Sequence, residues 1–121
     1  MDRELIEFIQ DSFDSVWSLE ILLTIYGESE RYWQPEQLID ELRSSEAVVR
    51  KAVGGLLTAG LILVEEDGRV SYGPASPAQH RLVLQLDEAY RVKPGAVRRV
   101  VIQRPSDKLR SFSDAFRIIK D

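Results

Sequence analysis

"SSEAVVRKAVGGLLTAGLILVEEDGRVSYGP", residues 44–74, is the stretch on which the reading of this chain turns. Ser45 stands where a helix cap is needed, because its hydroxyl accepts a backbone N–H of the first turn. Glu46 behind it suits the positive end of the helix dipole. Val49, Ala52, Val53 and Leu56 recur at helical spacing and mark a buried face. Gly60 sits where the chain must turn left-handed to leave a helix. "LILVEEDGRVSYG" then sets two short apolar strands around Asp67-Gly68, a hairpin signal. The order is helix, glycine stop, strand, tight turn, strand.

Working towards the amino terminus, "RYWQPEQLIDELR" begins with the clearest helix start in the chain. Pro35 suits the first helical position, where no backbone donor is required, and Gln34 takes the cap. Trp33 and Leu38 stand where a hydrophobic staple forms. Leu38, Ile39 and Leu42 face inward. "RYW" reads alternatively as a short strand pairing with the hairpin. "SVWSLEILLTIYG" is apolar nearly all round, which predicts a central helix covered on several sides; Asp14 or Ser15 caps it and Gly27 ends it. "DRELIEFIQDSF" places Leu5, Ile9 and Phe13 four apart on one more helix. Trp17 and Trp33 are both expected in the core.

Towards the carboxy terminus, "PASPAQHRLVLQLDEAYR" carries two patterns. "LVLQL" alternates like a strand, but Ser76-Pro77 is a cap followed by proline, and Ala78, Leu82 and Leu86 recur at helical spacing; helix is the reading taken. "KPGAVRRVVIQ" is read as a short helix despite its β-branched residues. In "SDKLRSFSDAFRIIKD" Ser106 caps, and Leu109, Phe112, Phe116 and Ile119 line one face. The fold class expected is mainly α with a small β-hairpin. Residues 1–14 form an amino-terminal helix, residues 15–74 the core unit, and residues 75–121 a helical extension packed on that core or forming a dimer interface.

Residues 15–74 resemble the winged helix-turn-helix superfamily, as found in MarR-like and related bacterial transcription regulators. The resemblance rests on "PEQLIDEL", "SSEAVVRKAVGGLLTAGLI" and "LVEEDGRVSYG", and covers about half the chain. It implies a recognition helix at about residues 45–59, a wing at about residues 61–73, double-stranded DNA as partner, a role in transcription and a homodimer. It identifies fold better than function, because the same fold also serves as a protein-docking module. A winged-helix adaptor that binds no DNA is the alternative. Three positions differ from the usual pattern: Ser44 replaces an apolar turn residue, Gly54-Gly55 occupies the outer face of the second helix, and the wing is acidic at Glu65, Glu66 and Asp67.

A DNA reader needs side chains that reach base edges and cations that neutralise phosphate. In the register above, Arg50 reaches a guanine edge or a phosphate. Lys51 lies beside it. Ser45 and the helix amino terminus hold a phosphate, Arg43 contacts one from the turn, and Arg69 reaches from the wing. Gly54 permits close approach of a DNA backbone or a partner helix, or is simply a tolerated defect. These six positions form a thin set, since residues 14–74 hold 5 Lys or Arg against 11 acids.

Charge is unevenly shared along the 121 residues. Residues 1–80 carry 15 acids and 6 Lys or Arg, a net of −9; residues 81–121 carry 5 acids and 10 Lys or Arg, a net of +5, recovering the total of −4. The basic residues, among them Arg91, Lys93, Arg98, Arg99, Arg104, Lys108, Arg110, Arg117 and Lys120, contact phosphate, face the acidic half, or are solvated. Their side of the molecule discriminates the two functions. On the side of Arg50 and Arg69 they favour DNA; on the opposite side they favour the adaptor.

Other classes find little support. The chain has no cysteine, so thiolate metal sites and disulfides are excluded. His80 is the single histidine, with no ligand partners or nucleophile nearby in the sequence. Glu36, Asp40 and Glu41 are spaced as a solvated helix face. No enzyme activity, metal or cofactor is expected. With no secretory signal and no apolar run long enough for a bilayer, a cytoplasmic protein without membrane contact is the expectation.

Overall fold

The computed structural model describes residues 1–103. Its described elements run α1 (Arg3–Ser12), α2 (Val16–Gly27), α3 (Pro35–Leu42), α4 (Glu46–Thr58), β1 (Ile62–Val64), β2 (Val70–Tyr72), α5 (Pro77–Val92) and α6 (Pro94–Ile102). The architecture is mainly helical with one two-stranded antiparallel sheet. The helix expected over residues 106–119 lies outside the described residues.

Local chemistry accounts for most boundaries. The Ser15, Ser45 and Ser76 side chains accept the backbone N–H groups of Ser18, Val48 and Gln79, capping α2, α4 and α5. Proline occupies the first turn of α3, α5 and α6, where its missing N–H costs nothing. At the start of α3 the Gln37 side chain accepts the Gln34 N–H. Gly60 has φ +77°, the left-handed closure that follows α4. α2 ends at Gly27 as expected, but without positive φ there, and Glu28 is its carboxy-terminal cap. Phe13 also departs: α1 stops at Ser12, and Phe13 reaches the core from extended backbone.

In the hairpin, Ile62 pairs with Tyr72, Leu63 with Ser71 and Val64 with Val70. Gly68, at φ +91°, turns the tip. Trp33 bridges β2 from the other side, its N–H donating to the Val70 carbonyl at 2.7 Å and the Val70 N–H returning at 2.8 Å. The strand reading of "RYW" thus holds at Trp33.

α2 is the axle. It packs against α3, α4, β2 and α6, and Leu19, Ile21, Leu22 and Ile25 are fully buried. α4 adds Val49, Ala52 and Leu56; α5 adds Val83 and Leu86; α6 adds Val97 and Val101; all belong to one continuous core. α1 lies across α5 and α6. Trp33 is in the core at 2% exposure, but Trp17 is 41% exposed. A helix apolar on every side has more surface than its neighbours cover, and Trp17 falls on the uncovered part. Among the described residues no helix is long and apolar enough to cross a membrane.

Candidate interaction face of helix α4 and the hairpin

α4 buries Val49, Ala52 and Leu56 against α2 and α3, so Ser45, Glu46, Arg50, Lys51, Gly54 and Gly55 are left facing outward. Arg43 sits just before it as the carboxy-terminal cap of α3, at φ 52°, where its exposed side chain leaves the turn. Between them the hydroxyl oxygen of Ser44 is buried without a hydrogen-bond partner among the described residues. That agrees with an apolar preference at this turn. α3, α4 and the hairpin enclose a cleft of about 330 Å³ with an apolar floor of Ile39, Val49, Val53 and Val70 and a rim of Glu36, Glu46, Arg50 and Gly68. Arg50 and the hairpin therefore border one surface, as the sequence register requires.

The electrostatics of that surface differ from its side-chain inventory. Arg50 pairs with Glu46 one turn earlier, both exposed. Arg69 pairs with Asp67, Nε to Oδ2 at 2.8 Å, and lies over the Tyr32 ring at 4.8 Å. Asp67 also accepts the Arg69 backbone N–H at 3.1 Å. That hydrogen bond, together with the adjoining guanidinium, holds the carboxyl below the usual carboxylate range. Glu65 and Glu66 stand exposed beside it. Among the described residues, Arg43 and Lys51 have no ion-pair partner. Of the four basic positions singled out in the sequence, two are engaged by neighbouring acids and two are unpaired.

Gly54 and Gly55 face open space; a Cβ added at either meets nothing within 4 Å. Close packing inside the chain is thus not the reason for glycine there. Three exposed apolar side chains complete this end of the molecule: Leu57 at 48%, Leu63 at 54% and Val64 at 38%. Sequence reasoning passed over them. For Leu63 the signal was present in "LILV", where successive strand residues point to opposite faces and Ile62 takes the buried one.

The described basic residues of α6 lie elsewhere. α6 packs on α1, α2 and α5, whereas α4 packs on α2, α3 and β1. Arg98 faces the acidic half: its Nε donates to the Tyr90 hydroxyl at 3.0 Å and its guanidinium lies 3.9 Å from Glu20 on α2. The Tyr90 hydroxyl in turn donates to Glu20 at 2.5 Å. Arg91 is held within α5 by Asp87 and Glu88. His80 is exposed and meets the Tyr72 hydroxyl through Nδ1 at 2.7 Å. Among the described residues no group of three His, Asp or Glu side chains is placed to hold a metal ion.

Comparison with protein-family models, with curated proteins and with solved structures finds no match to this chain.

Proposed function

We propose that residues 15–74 form a winged helix-turn-helix, and that the module works as a protein-docking adaptor through α4 and the hairpin. The succession α2, Trp33 bridge, α3, α4, β1, β2 supports the fold. On that reading α4 is the recognition helix and the hairpin is the wing. One observation carries the function. The two arginines best placed to meet DNA, Arg50 and Arg69, are each engaged by a carboxylate, and the wing tip adds Glu65 and Glu66. Affinity for a duplex comes largely from neutralised phosphates. This face has little net positive charge to offer, and Arg98 of α6 is turned to Tyr90 and Glu20. An acidic wing beside exposed Leu57, Leu63 and Val64 fits a partner that is basic and apolar in patches.

The DNA reading keeps one specific support. The amino terminus of α4, capped by Ser45, is exposed, and among the described residues Arg43 and Lys51 nearby have no ion-pair partner. The exposed Arg50–Glu46 pair is worth only about 0.3–0.5 kcal/mol, so a phosphate displaces Glu46 readily. A homodimer belongs to this reading, since a second α4 doubles the phosphate contacts.

Fluorescence anisotropy with random duplex DNA over a salt series separates the two. The docking reading expects no binding even at low salt. Binding that falls with salt and is lost in the Arg50→Ala/Lys51→Ala variant overturns it and establishes a DNA-binding function.

A further inference from the structure

The cleft between α3, α4 and the hairpin has a shape and a charge that specify an occupant. Its floor includes Ile39 and Val53, which are only half-buried and so keep apolar surface to offer. On α4 the lining residues Glu46, Arg50 and Val53 are separated by four and three positions. Leu57 comes four positions further on. It therefore continues the same stripe of the helix, and it is 48% exposed. Across the sheet Val64 pairs directly with Val70 and shares its face, at 38% exposure. The apolar floor thus runs out of the cleft onto the surface. The stripe from Glu46 to Leu57 is about 16 Å long, or about three helical turns.

The charge around this strip is one-sided. Gly68 lines the cleft, and Glu65, Glu66 and Asp67 precede it in the hairpin tip. With Glu36 and Glu46 these make five acids against Arg50 and Arg69, each of which is already paired with one of them. Among the described residues Glu36, Glu65 and Glu66 have no ion-pair partner. A partner can also be recognised by its backbone, as an added strand. That route is closed at Val70, the strand residue of the floor, because both its backbone groups already bond Trp33. Recognition here falls to side chains, which suits a helix laid in a groove.

We infer that this cleft seats a cationic amphipathic helix of a protein partner. Its apolar face lies on Ile39, Val53, Leu57 and Val64, and its Lys or Arg side chains meet Glu36, Glu65 and Glu66. The inference rests on the docking reading of α4 and gives that reading the chemistry of its partner.

The probe is a fluorescein-labelled helical peptide of about 14 residues, with Leu at helical spacing along one face and Lys on both flanks. A second peptide has Glu in place of every Lys. Binding to the full chain is followed by anisotropy at low salt. Glu36→Lys and Leu57→Asp change exposed side chains of the strip, and thermal unfolding checks that each variant remains folded. Asp11→Lys, at the end of α1, repeats the charge change away from α3, α4 and the hairpin. Wild type is expected to bind the Lys peptide and not the Glu peptide. Glu36→Lys and Leu57→Asp are each expected to weaken binding about tenfold or more, and Asp11→Lys less than about twofold. No binding of the Lys peptide, or binding that Glu36→Lys and Leu57→Asp leave unchanged, overturns the inference. A dimer in sedimentation that Glu36→Lys dissociates overturns it in favour of a second copy. Random duplex DNA in the same buffer separates the two levels. Duplex binding lost in Arg50→Ala/Lys51→Ala removes the docking reading itself, whereas binding of neither probe removes only the helical occupant.

Discussion

Tyr72 shows how much one side chain at the end of a three-residue strand registers. Its ring meets Tyr26 edge-on, with centroids 5.2 Å apart. Burial, and then the neighbouring Tyr26, push its phenol up from 10.0 to about 12. The neutral form is favoured in the fold, so the unfolded chain releases this proton first as pH rises. Its contribution to stability is complete below pH 10 and is lost as pH climbs towards about 12. Urea midpoints measured across that window are expected to fall, and Tyr72→Phe is expected to remove part of the slope. Tyr90, also raised, by burial first and then by its hydrogen bond to Glu20, adds to the slope in the same direction. A slope unchanged in Tyr72→Phe refutes the assignment. Neither shift was legible in the sequence. Tyr90 and Glu20 are 70 positions apart, and only the fold, with α6 packed on both α2 and α5, joins them.

At the scale of elements, α4 carries the sharpest prediction. Glycine in a helix interior costs about 0.8–1 kcal/mol relative to alanine. Nothing lies within 4 Å of a Cβ at Gly54 or Gly55. Gly54→Ala and Gly55→Ala are therefore each expected to stabilise the isolated chain by about 0.8 kcal/mol in urea denaturation. Destabilisation by either would show that the chain itself needs the glycine. The elements were largely readable because their ends are written in short-range chemistry. Ser15, Ser45 and Ser76 cap within three residues, Pro35, Pro77 and Pro94 open helices, and Gly60 and Gly68 take positive φ. Trp17 was misjudged because periodicity names the apolar face of a helix, and α2 has no polar face to contrast with it. The site was readable by position but not by charge. Glu46 stands four residues before Arg50 and Asp67 two before Arg69, so both pairs were within reach of the sequence. The placing of Arg98 against Glu20, by contrast, needed the fold.

For the molecule as a whole, the decisive property is one shared core. Leu56 on α4 and Leu86 on α5 are both fully buried in the same cluster, although the hairpin separates their helices in the sequence. Leu56→Ala and Leu86→Ala are each expected to cost about 2–5 kcal/mol. Each should lower one common unfolding transition, seen alike by circular dichroism and by the fluorescence of buried Trp33. Two separated transitions, with one variant moving only one of them, would divide the chain into independent units. The Gln79 amide binds the halves locally as well: its Nε2 donates to the Ala59 carbonyl at the end of α4, at 2.9 Å, across 20 positions of sequence.

The lie of α1 across α5 and α6 has a temporal meaning. α1 packs against the last two described helices, so Leu5, Phe8 and Ile9 wait for Val83 to Val101 before they are covered. At translation rates of about 5–20 residues per second, that wait lasts on the order of 4–20 seconds. During it an amphipathic helix with no surface to lie on is presented to the cell. Nascent chains of this protein are thus most in need of a holding chaperone in the interval when α1 has been made and α5 and α6 have not.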